Sequence, residues 1–187
     1  MRIISGKLKG RYLVEFKADH IRPTTDRVKE SIFNILRSDI EGASVLDLFA
    51  GTGNLTIEAW SRDAAKVVAV ELNKKSLEII NKNIQTFKIQ DGIEILRQDV
   101  FRFLKAYKGS PFDVIFADPP FTEKIGHAVM EQISSSAVVG QKTIVVIETA
   151  KVERIDDKYE NLVLIDRREF GDKRASFYSP ATVGSDP

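Results

Sequence analysis

Asp118-Pro119-Pro120-Phe121 is the stretch whose residue types and order point most directly to chemistry. Two consecutive prolines cannot continue a β-ladder, because proline has no N–H to donate and restricts the residue before it to extended conformations. What remains is a rigid turn presenting a carboxylate, a carbonyl and an aromatic ring. An exocyclic amine on a nucleic-acid base is a poor nucleophile, since its lone pair is delocalised into the ring. The Asp118 carboxylate and the Pro119 carbonyl can accept its N–H groups and turn the lone pair towards an electrophilic methyl group. Phe121 can stack on the base and hold its plane. The step would be an in-line displacement at a sulfonium methyl, driven by positioning, with no covalent enzyme intermediate. Taken alone, the tetrapeptide also reads as a strand-to-helix turn with Asp118 as its cap.

A second constellation lies upstream. Val45-Leu46-Asp47-Leu48-Phe49-Ala50-Gly51-Thr52-Gly53 is an apolar run that enters a Gly-rich turn ahead of a helical pattern. Glycine is needed where a ligand must lie against the backbone, and in doubly wound sheets ligands sit at the carboxyl ends of strands. Thr56 stands where a dinucleotide fingerprint has its third glycine, and the lysine of a P-loop is missing, so NAD and ATP are disfavoured. Asp47 would suit a cationic amino-acid group better than a pyrophosphate, and S-adenosylmethionine carries such a group. Glu71, twenty positions beyond Gly51, could accept from both hydroxyls of a ribose. Asp99 could hold an adenine amine. Each acid alone also reads as a helix N-cap; three strand ends in order at these offsets point to a donor pocket.

The elements that must position these groups follow from periodicity. Apolar runs at 44–49, 67–70, 93–96, 114–117 and 144–147 read as buried strands, and amphipathic segments near 54–62, 74–87, 100–107 and 123–134 as helices. Continuous apolar strands alternating with helices imply a parallel sheet covered on both faces. Residues 162–170 and 174–178 read as an antiparallel pair around Gly171-Asp172, which completes the layout of a seven-stranded methyltransferase sheet. Upstream, Thr24-Thr25-Asp26 suits a helix start, and Val28, Ile32, Ile35 and Leu36 carry that helix to a stop at Glu41-Gly42. Residues 2–15 read as two short strands around Gly6–Gly10.

Of 187 residues, 43% are hydrophobic and 29% charged, as in an ordinary globular domain. With no cysteine, disulfides and thiolate chemistry are excluded. His20 and His127 are too few and too separated to suggest a metal and read as bystanders. No apolar run is long enough for a membrane span, and the start lacks a signal-peptide core. The expectation is a cytoplasmic, metal-independent protein. The net charge of +1 hides an asymmetry: the first thirty residues hold eight basic against four acidic side chains. A basic end on a mildly acidic domain suits a phosphate-contacting arm, and equally an ordinary solvated face.

Arg2-Ile3-Ile4-Ser5-Gly6, Gly10-Arg11, the block from Arg22-Pro23-Thr24-Thr25-Asp26-Arg27 to Asn34, Asp47–Gly53, Glu58–Arg62 and Asp118–Phe121 together resemble the bacterial RsmD family. The resemblance runs from residue 2 to about 178. It implies an α/β, Rossmann-like, seven-stranded class I SAM-dependent methyltransferase sheet (residues 21–180) with a small basic N-terminal β-hairpin extension (1–20) and a flexible tail (181–187). It further implies transfer of a methyl group to the guanine N2 amine in 16S ribosomal RNA. The donor site would comprise Asp47, Gly51, Thr52 and Gly53, then Glu71 with Leu72 and Asp99 with Val100, and Thr25. Asp118, Pro119, Pro120 and Phe121 would be catalytic. Lys7, Lys9, Arg11, Arg22 and Arg27 would approach RNA, free or in an assembling 30S particle, with the protein a monomer. The chain departs from the family at Asn54 and Thr56, where small or apolar residues are usual, and at Asp63, where glycine is; these bear on packing more than on chemistry. Rival readings are a DNA adenine-N6 methyltransferase, which would usually need a target-recognition domain, a non-catalytic RNA-binding protein of the same fold, and a small-molecule methyltransferase.

Overall fold

The computed structural model describes residues 1–14, 25–121 and 123–181. The five apolar runs are parallel strands: β1 (Ser44–Leu48), β2 (Lys66–Glu71), β3 (Ile93–Arg97), β4 (Phe112–Ala117) and β5 (Val139–Ala150). Then β6 (Lys158–Tyr159), β7 (Leu162–Phe170) and β8 (Lys173–Pro180) pair antiparallel. The order across the sheet is β3-β2-β1-β4-β5-β8-β7-β6. The expected seven strands are therefore present, and the two-residue β6 adds an eighth at the β7 edge. β5 is longer than its apolar run because it begins at Val139, with exposed Gln141 and Lys142 that no hydrophobic pattern marks.

Side chains alternate across the sheet, and both faces are covered. Leu46, Leu48, Val68, Val70, Ile115 and Ile147 pack beneath α4 (Val100–Ala106) and α5 (Gly126–Ser134). Their neighbours Val45, Val67, Val114, Phe116 and Val146 face α1 (Asp26–Leu36) and α2 (Asn54–Ser61). This double burial is the reason the strands read as apolar runs. α3 (Lys74–Thr86) sets Ile80 against Ala50 and Ala69. α1 stops at Leu36 and passes into a 3-10 turn at Arg37–Asp39, short of the expected Glu41-Gly42. No helix among the described residues is long and apolar enough to cross a membrane.

The register lines up the working ends of the strands. Leu48 lies opposite Val70 of β2 and Ala117 of β4. The residues that follow, Phe49-Ala50, Glu71 and Asp118, therefore emerge at one level of one sheet edge. Glu71 in turn pairs with Arg97, two positions before Asp99.

The N-terminal arm folds back on itself as a minimal antiparallel hairpin, in which Ile3 N donates to Arg11 O (2.8 Å), Gly10 N to Ile3 O (2.8 Å) and Leu13 N to Met1 O (3.1 Å). A single bridge joins Arg2 to Tyr12, with a 3-10 turn at Gly6–Leu8 between them. α2 anchors the arm by taking backbone groups that this pairing leaves unused. Glu58 accepts from Ile4 N (2.8 Å) and Ser5 N (3.1 Å), and Ser61 Oγ accepts from Leu8 N and donates to Ser5 O. Gly6 has φ +79°, and a Cβ there would meet the Ser61 carbonyl oxygen at 1.6 Å, so only glycine lets the arm lie this close. Ile3, Leu8 and Leu13 close a small core with Ile57, Phe87 and Ile89.

Candidate active site

A cleft of about 1170 Å³ opens where the strand ends converge. That exceeds the usual volume of a small-ligand pocket, so a methyl donor and a base can enter together.

At its donor half, β1 leaves the sheet through Phe49, which has φ +63°, and the chain turns over Gly51 (φ +55°) into α2, capped by Gly53 (φ +81°). The turn is held by Gly51 N donating to Glu71 Oε2 (2.7 Å), while Glu71 Oε1 accepts from Asn73 N (2.7 Å). Glu71 is thus oriented by two backbone donors, and each oxygen keeps a lone pair for a ligand hydroxyl. Asp99 caps α4 by accepting from Arg102 N at 3.0 Å and also lines the cleft, so the cap and the pocket readings are both realised. Asn73 caps α3 in the same way.

Asp47 is the electrostatic centre of this half. Its side chain is buried, it accepts from Thr56 Oγ1, and among the described residues no cation pairs with it. Burial, with smaller contributions from the charges of Asp118 and Glu71, pushes its carboxyl up to about 7, against the lowering effect of the Thr56 bond.

At the acceptor half, β4 delivers Asp118, a buried Pro119, an exposed Pro120 and Phe121 to the same cleft. Pro120 O accepts from Glu123 N at 3.0 Å, which closes the turn after the prolines. The cleft thus joins Asp47, Gly51, Thr52, Glu71, Leu72, Asp99, Val100 and the full tetrapeptide.

Other expected positions lie elsewhere. Gly53 packs under Ile57 and Ile80 and shapes the turn from behind. Thr25 is the N-cap of α1, accepting from Val28 N, and is not among the residues lining the cleft. Lys7, Lys9, Arg11 and Arg27 are exposed; Lys7 pairs with Asp63 at 2.8 Å, and Arg11 lies over the Phe87 ring. Arg22 and His20 fall outside the described residues. His127 sits against Tyr159, away from the cleft lining.

A family model described as "Conserved hypothetical protein 95" matches residues 1–179. The ribosomal RNA small subunit methyltransferase D of Haemophilus influenzae is 38% identical over 153 residues, covering 81% of this chain and 79% of that protein. The chain belongs to the RsmD family. The Escherichia coli protein of the same name is 34% identical over 149 residues, covering 80% of this chain and 74% of that one. The solved structure of yhhF from Escherichia coli matches with a TM-score of 0.84 at 30% identity, across 96% of this chain and 97% of that one. The sheet is that of the class I methyltransferases.

Within this RsmD-family chain, the three departures acquire reasons. Asp63 adopts φ +67°, a backbone state that favours glycine. Asn54 accepts from Lys29 Nζ at 2.8 Å. Thr56 bears on chemistry as well as packing, because its hydroxyl meets the Asp47 carboxylate. Sequence reasoning also missed Met1, Phe49, Phe101 and Lys173 as cleft residues. A lysine from β8 carries no local signal for a site built on β1 to β4. Met1 arrives only because the arm is anchored to α2.

Proposed function

We propose that this chain transfers a methyl group from S-adenosylmethionine to the exocyclic N2 amine of a guanine in small-subunit ribosomal RNA, in the cytoplasm. The observation that carries the reading is that Asp118–Phe121 open into the same cleft as Asp47 and Glu71, with the strand ends in register.

The donor suits the residues present. A carboxylate whose pKa is raised by burial and by the like charges near it matches the ammonium of an amino-acid moiety, and Glu71, braced by Gly51 and Asn73, matches a ribose diol. When bound, S-adenosylmethionine supplies an electrophilic methyl on sulfur. Asp118 and the Pro119 carbonyl then accept the N–H groups of the guanine amine and aim its lone pair. Phe121 stacks on the base, which must leave its own stack to reach this depth. The Asp118 carboxylate is placed to take the proton that the amine loses on methylation. The arm supports an RNA substrate: Lys7, Lys9 and Arg11 are exposed on the segment whose first residue lines the cleft. Phosphate contacts there would hold the RNA without reading its sequence.

Purified protein with labelled donor is expected to label small-subunit RNA or 30S particles and to leave duplex DNA unlabelled. Asp118→Ala should lower transfer by about 10²- to 10⁴-fold, the usual reach of a positioned acid or base, while donor binding measured by calorimetry persists. Undiminished transfer by Asp118→Ala would remove the carboxylate from its role, and label in DNA adenine would replace the substrate.

A further inference from the structure

Lys173 opens β8 beside the end of β5, where it pairs with Ala150. Its side chain is 6% exposed and lines the cleft. The ammonium makes no hydrogen bond among the described residues. A buried cation in that condition needs other compensation. Two groups supply it: Glu148 Oε2 at 3.7 Å, diagonally across the β5–β8 ladder, and the ring of Phe121, whose centroid lies 4.2 Å from Nζ. A desolvated ammonium against an aromatic face gains more than an exposed one, so the charge and the ring hold each other in place.

Phe121 follows two prolines at the end of a strand, and its ring is only partly buried. A ring has two faces. The ammonium takes one, and both residues line the cleft. From this we propose that Lys173 is a positioning residue for the target base: with Glu148 behind it, it backs the Phe121 ring so that the free face meets the base in one plane. The proposal rests on the reading that Phe121 stacks on the methylated base. It adds to that site a residue from the C-terminal hairpin.

A double-mutant cycle tests it. Lys173→Met keeps the stem and removes the charge; Phe121→Leu removes the ring; both are made singly and together, and each is assayed for kcat and KM on small-subunit RNA and for donor affinity. Lys173→Met is expected to lower kcat about tenfold, within the range of a buried cation–π contact, with KM and donor affinity moving less than about twofold. In the Phe121→Leu background the same change should cost less than about twofold, because there is no ring left to hold. Lys173→Arg should recover most of the rate. Lys173→Met combined with Glu148→Gln controls for a stranded carboxylate and should match Lys173→Met alone. Equal losses with and without the ring, a loss confined to KM, or recovery in the Glu148→Gln combination would overturn the proposal. If Phe121→Leu itself transfers at the full rate, or the unsubstituted protein labels no RNA guanine, the reading beneath it falls, and the proposal with it.

Discussion

Glu58 on α2 and Asp47 on β1 are carboxylates buried alike, at 0% and 1% exposure, and their surroundings treat them oppositely. Glu58 faces Lys29 at 3.0 Å and Arg62 at 2.8 Å and also accepts two backbone N–H groups of the arm. Lys29, buried in its turn, also donates to Arg2 O and to Asn54. Burial drives the Lys29 pKa down, and the neighbouring Glu58 charge opposes that. Every partner Glu58 needs is part of the protein. Around Asp47, burial and then the like charges of Asp118 and Glu71 raise the pKa to about 7, with only Thr56 acting against them. The first acid bolts the arm to the domain. The second is held in a state that a cationic ligand would relieve. Burial of an acid alone therefore says nothing of function; what separates the two is whether the charge is answered from within.

The largest effect is expected on the satisfied side. Glu58→Gln keeps the shape but leaves Lys29 buried without its countercharge, which typically costs about 3–5 kcal/mol. For a chain of this size that is a fall in Tm of about 10 °C. A Tm within a degree or two of the parent would mean that the Lys29–Glu58 pair is replaceable and the contrast false.

The opposite sign is expected at Asp47. A carboxyl whose folded pKa lies above its unfolded value destabilises the fold as it ionises; the penalty is absent below about pH 4, grows as pH rises, and is complete above about 7. Asp47→Asn should therefore raise the stability of the ligand-free protein at pH 8 by up to a few kcal/mol, with little gain at pH 4, and it should abolish donor binding. Chemical denaturation at the two pH values checks this. Destabilisation at pH 8 would show that the carboxylate is already compensated.

The smallest effect is a matter of titration. Pairing with an ammonium needs ionised Asp47, so donor affinity in the parent should weaken as pH falls below about 7, by up to about tenfold per unit. Calorimetry in buffers of different ionisation enthalpy would also register proton release on binding. Affinity flat from pH 5.5 to 8 would put the ionisable group elsewhere.

The contrast also marks how far the sequence could be read. The strands were legible because burial on both faces writes itself as apolar runs; Asp47 stood out as an acid inside such a run, and Glu71, Asp99 and Asp118 because they come at or just past the end of one. The arm's fold-back could be read, but not its anchorage, because that comes from Glu58 and Ser61, more than fifty positions away. Thr56 and Lys173 stayed hidden for a related reason. One reaches Asp47 across a turn, and the other depends on the β5–β8 register, which no local pattern encodes. β6, two residues long, is too short to leave a periodicity.

The central claim concerns which atom receives the methyl group. Small-subunit RNA incubated with the protein and S-adenosylmethionine, digested to nucleosides and resolved by mass spectrometry, is expected to yield N2-methylguanosine, absent from a parallel reaction with Asp118→Ala. N6-methyladenosine, or a methylated guanosine at another position, would contradict it.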